Sequence, residues 1–462
     1  MLLQRKLLIY DKGGISLYSY DVVIVGGGVS GAVAGIASAR EGVKTLIIEK
    51  MGFLGGSLTA GGVGPMMTFH AGNVQVVRGI AEEIIEKLKQ MGGSPGHIID
   101  TTGYTYTVTP FDAELLKHVL EKMYIDAKGE LLYHSMLDGV EVYENNIKSI
   151  SVATKSGKLN FEAKVFIDAS GDGDLAAWSG VDFLLGREED NLCQPVTMNL
   201  KIRNVNIEKL KECARKDPDD FPNTSVDLLN KAPRLSLGGF EKLFTKGREN
   251  GEITFSREYI LLFETNNQGE VIVNTTRMQK VNPTNAWELT AAEIECRRQA
   301  LELFNFMKKR IPGFENCVLM YTGPNVGIRE SRKIRGKYIL KADDIFDDTI
   351  FEDEIACGGY PIDVHSPDGE GTNTKHLEWG AVYGIPFRCL VNEKIKNLIN
   401  VGRCISTTQE ACAATRVSPI AMAVGQAGGI AAGICIKNNY NLSEINYQEL
   451  KCKLLKNDVF IR

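Results

Sequence analysis

Hydrophobic residues near the start of the chain form two apolar runs, separated by a glycine-rich turn and a segment of small residues. The first run, with its turn and the small residues, reads DVVIVGGGVSGAVAG over 21–35, and the second reads VKTLIIEK over 43–50. Uninterrupted β-branched runs of this length predict buried parallel strands, and the small residues between them predict a helix. The order therefore predicts a β-α-β unit whose second strand ends in a carboxylate.

The turn holds three glycines at the spacing of a dinucleotide-binding site. Gly26 permits the tight turn, Gly28 lets backbone approach a pyrophosphate, and Gly31 lets the helix pack closely on the strand. The start of the helix then faces the phosphates. Glu49 is placed to accept hydrogen bonds from adenosine ribose hydroxyls, and its charge would repel a 2′-phosphate. The unit predicts FAD or NAD rather than NADP, and it does not choose between these two.

Later segments alternate between helical and strand patterns. Residues 51–70 are rich in glycine and large apolar side chains, which predicts a loop packed against a flat apolar ligand. Helices are predicted over 78–91 and over 112–128, the second capped by Asp112. Short β-type runs over 130–168 predict an antiparallel meander that returns to the main sheet at VFIDAS.

An uncharged segment over 419–436 has the length of a short membrane span. Gly425, Gly429 and Gly433 stand at GxxxG spacing within it. Alanine and glycine dominate the segment, and Gln426 interrupts it. We therefore predict a helix buried inside a soluble domain, with the glycines permitting close backbone approach.

Residues 190 to about 375 change character, with a charged helix predicted over 290–309 and short strands over 259–264 and 271–274. We predict an α/β protein: a Rossmann-like domain with a three-layer ββα/αβ core and an inserted α+β substrate domain. The predicted division is an N-terminal extension (1–20), the first part of the nucleotide domain (21–190), the inserted cap (191–375), the second part (376–440) and a helical tail (441–462).

Composition narrows the function. The 462 residues carry a formal net charge of −5 with no long single-sign tail, so we expect a small-molecule ligand rather than nucleic acid or a membrane. Ten cysteines include no CxxC pair, which argues against zinc, dithiol and iron–sulfur sites and favours a cytoplasmic protein. The first twenty residues lack a signal-peptide pattern. Residues 168–174, DASGDGD, fail the EF-hand pattern, so we predict no metal site and a turn beside the cofactor.

Two segments near the end of the predicted insertion carry candidate chemistry. Residues 327–337 read GIRESRKIRGK, and on a helix Arg329, Arg332 and Lys333 would share one face. Spacing alone leaves an anion site and a solvated cationic face equally open. Residues 358–365 read GGYPIDVH and place Tyr360, Asp363 and His365 in a proline-broken loop that can carry acid or base groups.

Taken together, these segments resemble the FAD-dependent oxidoreductases that have a glutathione-reductase-type flavin domain. The resemblance rests on the glycine turn with IIEK and GFLGGS, on VFIDASGDGDLAAWSG, and on NLINVGRCISTTQEACAATRVSPIAMAVGQAGGIAA, together with GIRESRKIRGKYIL and GGYPIDVH. It implies FAD as the cofactor and these residues as its binding site: Gly26, Gly28, Gly31, Glu49, Lys50, Gly55, Gly56, Ser57, Asp168, Ala169, Ser170, Gly171, Gly402, Arg403 and Ser418. Within that set, Gly402 and Arg403 would lie near the ribityl chain and flavin, and the helix opening near Ser418 would direct its positive end at the isoalloxazine.

We predict an oxidoreductase that moves a hydride or two electrons between FAD and a small anionic substrate. Arg329 and Arg332 are predicted to bind the anion, and Tyr360 or His365 to pass a proton. Cys404 is either a thiolate beside the flavin or an inert buried thiol. Alternatives are a flavin subunit that relays electrons to a partner protein and a non-catalytic FAD or NAD binder, and a homo-oligomer is left open. The resemblance supplies no substrate.

Overall fold

A computed structural model describes residues 17–369 and 371–462. The strands, in chain order, are β1 Leu17–Val25, β2 Thr45–Ile48, β3 Met66–Met67, β4 His70–Ala71, β5 Val74–Gln75, β6 Ile98–Ile99, β7 Thr107–Thr109, β8 Glu130–Leu132, β9 Met136–Tyr143, β10 Asn146–Thr154, β11 Gly157–Asp168, β12 Phe183–Leu185, β13 Leu200–Arg203, β14 Ser236–Gly239, β15 Ile260–Glu264, β16 Val271–Val273, β17 Val318–Thr322, β18 Arg332–Ile334, β19 Glu354–Gly358, β20 Ile362–His365, β21 Thr372–Lys375, β22 Tyr383–Pro386 and β23 Leu398–Asn400. The α-helices are α1 Val29–Arg40, α2 Ile80–Gln90, α3 Ala113–Asp126, α4 Asp174–Trp178, α5 Ile207–Lys216, α6 Glu241–Glu249, α7 Ala286–Arg310, α8 Ala342–Phe346, α9 Gln409–Thr415, α10 Ser418–Asn438 and α11 Tyr447–Lys456. Short 3₁₀ turns are Gly56–Leu58, Pro218–Asp220, Val226–Leu228, Phe387–Cys389, Gly402–Cys404 and Leu442–Glu444.

The main sheet has the order β8-β2-β1-β11-β10-β9, and β23 pairs with the end of β11. Strands β8, β2, β1, β11 and β23 run parallel, whereas β10 and β9 are antiparallel. Apolar side chains fill both faces of β1 and β2, as expected for parallel strands covered on both sides. The predicted α/β class with a Rossmann-like parallel sheet is confirmed.

Helices α1 and α10 pack side by side under this sheet. A Cβ added at Gly425 would lie 2.3 Å from the carbonyl oxygen of Ser30, and one at Gly429 would lie 2.3 Å from that of Ala34. Only glycine leaves room for backbones this close. Helix α10 is long and apolar enough for a membrane span, yet 94% of its most apolar stretch is buried inside the protein. The GxxxG segment is therefore a core helix, as the sequence predicted.

A second sheet follows, with the order β14-β15-β16-β13-β17, and α5, α6 and α7 pack against it. Its own apolar core includes Leu237, Phe244 and Leu303, all fully buried. The predicted strands around 259–264 and 271–274 correspond to β15 and β16, and the predicted charged helix corresponds to α7. The mixed strands and helices support the α+β character predicted for this part of the chain.

Several local predictions are wrong. Residues 130–132 do not open the meander, because they form β8, which pairs parallel with β2, and the meander is β9–β10–β11. The loop at 51–70 is predicted to pack against a flat apolar ligand, but its residues Leu54, Met66 and Phe69 are buried in the protein core instead. The predicted N-terminal extension stays a prediction for residues 1–16, which lie outside the described residues. Residues 17–20 belong to β1.

Candidate functional site

The carboxyl ends of four parallel strands meet at one edge of the main sheet. Val25 at the end of β1 is level with Ile48 of β2 and with Asp168 of β11, and Asp168 is level with Asn400 of β23. The glycine turn, Glu49, the turn after Asp168 and Gly402 directly follow these positions. In open α/β sheets this edge is where nucleotides bind.

The first glycine turn has the geometry that its spacing predicts. A Cβ on Gly31 would lie 2.0 Å from the carbonyl oxygen of Gly26, so helix and turn are in direct contact. A Cβ on Gly28 would meet only the Cα of Gly56, at 3.9 Å. The space beside Gly28 is therefore not filled by protein, and the first-turn N–H groups of α1, which have no partner within the helix, open on it.

Glu49 is buried beside this turn. Its carboxylate accepts hydrogen bonds from the Gly27 N–H at 2.6 Å and the Met51 N–H at 2.7 Å. These two bonds fix the side chain, and each carboxylate oxygen retains a second lone pair for a ribose hydroxyl. Lys50 is exposed, and its charge acts on Asp172 and Asp174 at the neighbouring turn.

Gly55, Gly56 and Ser57 form a second glycine turn on top of the first. The Gly55 N–H donates to the carbonyl oxygen of Gly27 at 2.9 Å, and a Cβ on Gly56 would lie 2.8 Å from the Cα of Gly28. Ser57 is exposed at the rim of this turn. The two turns therefore enclose one strip of backbone suited to a pyrophosphate.

The turn at 168–171 is shaped by Asp168 itself. One carboxylate oxygen accepts from the N–H and hydroxyl of Ser170, and the other accepts from the Ala176 N–H at 2.9 Å. Complete burial raises the pKa of Asp168 to about 6, although these hydrogen bonds act against the rise. Ala169 packs under Gly31. Asp168 thus holds the turn, and the half-buried Gly171 at its end lies next to Arg403.

Arg403 ties the 168–172 turn to the segment that carries the candidate arginines. Its guanidinium donates to Asp172 at 2.8 Å and to the Ser331 hydroxyl at 2.9 Å, and Ser331 also donates to Asp172 at 2.7 Å. Burial would raise the pKa of Asp172, but the charge of Arg403 and these hydrogen bonds lower it below its ordinary value. The pair is charged, and it fixes Gly402 beside the hydroxyl of Ser30.

These residues fit FAD. The glycine turns leave backbone N–H groups and unfilled space for a pyrophosphate, and Glu49 provides a ribose acceptor. Helix α10, which begins at Ser418, packs through Gly425 against Ser30, the residue beside Gly402. When bound, FAD supplies hydride and two-electron chemistry. The residues named here would hold and orient it at this edge of the sheet.

A second group of polar side chains lies around one end of the β15–β16 hairpin. Arg257 precedes β15 and Arg277 follows β16, so both lie beyond the same end of this hairpin. Arg329 reaches the same end, where its guanidinium donates to the carbonyl oxygen of Pro195 at 2.7 Å and to the Thr197 hydroxyl at 2.5 Å. We call Arg257, Arg277, Arg329 and Arg416 the arginine cluster.

Arg416 connects the arginine cluster to the predicted flavin site. It caps the C-terminus of α9 and stands two residues before Ser418. Its guanidinium lies 3.7 Å from the carboxylate of Asp363 and donates to the Asp363 carbonyl oxygen at 3.4 Å. The Nε atoms of Arg416 and Arg257 have no hydrogen-bond partner among residues 17–369 and 371–462. Buried donors without an acceptor are costly, so these two point to a ligand.

Asp363 is the centre of an acid–base group. Its Oδ2 atom lies 3.3 Å from Nε2 of His365 and 3.2 Å from the Tyr360 hydroxyl, which donates to it. Burial would raise the pKa of Asp363, but His365 and the nearby arginines hold it far below its ordinary value. Burial and the charge of Arg329 lower the pKa of His365 to about 3. A neutral His365 must therefore donate from Nε2 to Asp363, and its Nδ1 accepts from the Thr372 hydroxyl at 3.1 Å.

The structure separates the two arginines that the sequence grouped. Residues 327–337 do not form a helix; β18 pairs with β12, so Arg329 and Arg332 lie on different parts of an extended segment. Arg332 donates to Asp174 at 2.8 Å beside the nucleotide turn, and Lys333 is buried in an ion pair with Glu330 at 2.5 Å. Arg329, Tyr360 and His365 are brought together, and Arg332 is not.

Sequence reasoning missed most of the arginine cluster. Arg257, Arg277 and Arg416 come from three distant parts of the chain, and no spacing rule connects them. Asp363 was visible in GGYPIDVH, but only the fold shows that Tyr360 and His365 share its Oδ2 atom. In the described part of the chain no group of three or more His, Cys, Asp or Glu residues is arranged to hold a metal ion.

Cys404 is a buried thiol next to two backbone carbonyl oxygens. Its Sγ lies 3.5 Å from the carbonyl oxygen of Val401 and 3.9 Å from that of Asp168. Burial, reinforced by Asp168, raises the pKa of this thiol well above its ordinary value, so at neutral pH it stays protonated. We expect Cys404→Ser to leave the visible flavin spectrum and turnover unchanged. Loss of a long-wavelength absorption band in this variant would contradict that expectation, and labelling of the exposed Cys452 provides a reactive control.

The fold and the nucleotide edge define a flavoprotein oxidoreductase of the α/β class. Residues 21–454 match the FAD dependent oxidoreductase family, and the chain belongs to that family. The protein is therefore an FAD-dependent enzyme.

The proteins similar to this chain have names that point to different reactions. The chain is 24% identical over 187 residues to a digeranylgeranylglycerophospholipid reductase from Methanococcoides burtonii, across 38% of this chain and 43% of that protein. It is 30% identical over 169 residues to a thiamine thiazole synthase from Methanococcus vannielii, across 34% and 58%. A geranylgeranyl bacteriochlorophyll reductase-like structure from Thermoplasma acidophilum superposes with a TM-score of 0.50 at 15% identity, across 96% and 85%. The match thus covers about half the length of the two curated relatives, and the solved structure supports the fold alone.

Proposed function

We propose that this enzyme transfers a hydride or two electrons between FAD and a small organic anion bound at the arginine cluster. The observation that carries the proposal is the buried arginine cluster: the Nε atoms of Arg416 and Arg257 have no hydrogen-bond partner among the described residues. Burial and the charges of these two arginines also lower the pKa of Arg329. Guanidinium groups match carboxylates in shape and charge. An anion is the ligand that would offset this charge.

The site residues then take separate roles. Arg329 and Arg416 bind and orient the anion beside the opening of α10. Asp363 holds the Tyr360 hydroxyl and the Nε2–H of His365 toward one point. After burial, the positive charge of Arg329 contributes most to the low pKa of His365, so an anion bound to Arg329 would raise that pKa and make the imidazole a better proton acceptor. Tyr360 is the second candidate to pass the proton.

Several finer assignments belong to the same proposal. The fifteen cofactor residues predicted from the resemblance hold FAD, and the division at 21–190, 191–375 and 376–440 separates the cofactor domain from the cap. Ten cysteines, none of them in a disulfide, favour a cytoplasmic location. A redox partner protein would be needed only if no small donor or acceptor reacts.

The proposal is tested by anaerobic reduction of the FAD-loaded protein. We compare the rates at which organic acids and their neutral amides reduce the flavin. The acids each have an oxidisable carbon and include 2-hydroxy acids, 2-amino acids and saturated carboxylic acids. We expect one class of acid to bleach the flavin band and its amide to react at least about hundredfold more slowly, because the amide cannot pair with a guanidinium. Equal rates for acid and amide would refute the anionic substrate. If no acid reacts but NADH or a reduced electron-carrier protein bleaches the flavin, the relay alternative is favoured.

A further inference from the structure

Arg257 is the member of the arginine cluster whose position is hardest to explain by protein contacts. Only 4% of the residue is exposed, and its Nε has no hydrogen-bond partner in the part of the chain that the structure describes. Its guanidinium lies 5.3 Å from the centre of the Tyr259 ring. A cation–π contact does not replace the hydrogen bonds that a guanidinium loses on burial.

Arg416 has an orphaned Nε of its own and comes from a different element. Arg329 feels the charges of both Arg416 and Arg257, so it lies within electrostatic reach of each. Arg277 plays a different part, because its Nη2 donates to the carbonyl oxygens of Ser366, Gly369 and Gly371 and so holds that loop. Asp363 lies 3.7 Å from the Arg416 guanidinium, and its charge also acts on Arg329.

Within 4 Å of the other three guanidiniums of the arginine cluster, the described residues place one carboxylate, that of Asp363, which leaves a surplus of positive charge that a single bound carboxylate would not neutralise. Orphaned donors also occur on two separate guanidiniums, at Arg416 near the opening of α10 and at Arg257 before β15. We propose that the substrate carries two anionic groups, one bound by Arg416 with Arg329 and the other by Arg257. This inference rests on the proposed function, and it adds the charge class of the substrate and the residue that selects it.

The test is a binding titration that needs no turnover. Straight-chain dicarboxylates from ethanedioate to hexanedioate, and the monocarboxylate of the same carbon number in each case, are titrated into the FAD-loaded protein. Binding is followed by the difference spectrum of the flavin. We expect the best dicarboxylate to bind about ten- to hundredfold more tightly than its monocarboxylate, because one further charged hydrogen-bonding group is engaged.

Arg257→Gln should remove that preference while leaving monocarboxylate affinity within about threefold, since only the second anionic group loses its partner. Arg257→Lys should retain part of the dicarboxylate preference, because lysine keeps the positive charge but lacks the paired N–H donors of the guanidinium. Arg234→Gln is the matched control: its guanidinium is also partly buried in the second sheet, but it donates to the carbonyls of Thr265 and Asn266. Flavin content and melting temperature confirm that each variant is folded.

The outcomes separate this inference from the proposed function. If neither series perturbs the flavin spectrum or competes with a reacting donor, both fail. If monocarboxylates and dicarboxylates bind equally, or if Arg257→Gln weakens both equally, the anion site stands and the two-anion substrate is wrong. A change in the flavin midpoint potential of ligand-free Arg257→Gln, with the dicarboxylate preference intact, would also overturn the inference and assign the charge to the reduced flavin.

Discussion

Gly28→Ala is expected to fold like the wild-type protein and to lose FAD. In the structure Gly28 has φ −60°, which alanine adopts freely, and the added Cβ would meet only the Cα of Gly56 at an ordinary 3.9 Å. The added methyl group therefore has no effect on the ligand-free protein, and it clashes only when a pyrophosphate approaches the backbone at this position. We expect FAD affinity to fall by at least about hundredfold, corresponding to the loss of one or two charge-assisted hydrogen bonds.

The contrast with Gly31→Ala makes this prediction specific. A Cβ on Gly31 would lie 2.0 Å from the carbonyl oxygen of Gly26, so the substitution forces the helix away from the turn whether or not FAD is bound. This variant should lose about 1–3 kcal/mol of stability or more and lose FAD as well. Thermal unfolding of the ligand-free proteins and FAD titration by absorbance give both quantities. Wild-type FAD affinity in Gly28→Ala would show that the pyrophosphate lies elsewhere.

Local patterns explain why the nucleotide edge could be predicted from the sequence. Three features of this part of the chain depend only on neighbours a few residues away: the apolar runs around Gly26, the carboxylate at Glu49 and the cap at Asp112. The structure places each of them as its local pattern predicts. The buried helix α10 belongs to the same class, because its composition excluded both a polar surface helix and a leucine-rich span.

The arginine cluster could not be predicted in the same way. Charge spacing at 327–337 suits a helix face, but pairing with β12 makes the segment extended, and tertiary contacts decide such cases. The other arginines of the cluster lie beside the β15–β16 hairpin and at the end of α9, which are far apart in the chain. The sequence predicted an anion site from Arg329 and Arg332 together, whereas the structure pairs Arg332 with Asp174, away from Arg329.

Arg329→Gln is expected to abolish the reaction with an anionic donor while the ligand-free protein becomes no less stable. Burial and the charges of Arg416 and Arg257 lower the pKa of Arg329 to about 9, below its ordinary value. For a base, a lowered pKa means that folding disfavours the charged form, and below about pH 9 the group is charged. Removing that charge therefore relieves repulsion at neutral pH, and glutamine can still donate to Pro195 or Thr197.

The matched comparison is Arg332→Gln, three residues away in the same motif but paired with Asp174. At saturating FAD we expect Arg329→Gln to lower the rate of flavin reduction by the donor, at low donor concentration, by about a hundred- to a thousandfold, and Arg332→Gln to change it by less than about threefold. Melting temperatures should be equal or higher for ligand-free Arg329→Gln, because an arginine kept for binding costs stability until its anion arrives. Unchanged reduction in Arg329→Gln would remove this residue from the proposed substrate site. A fall of equal size in Arg332→Gln would show that Arg332 also belongs to that site, as its sequence spacing predicted.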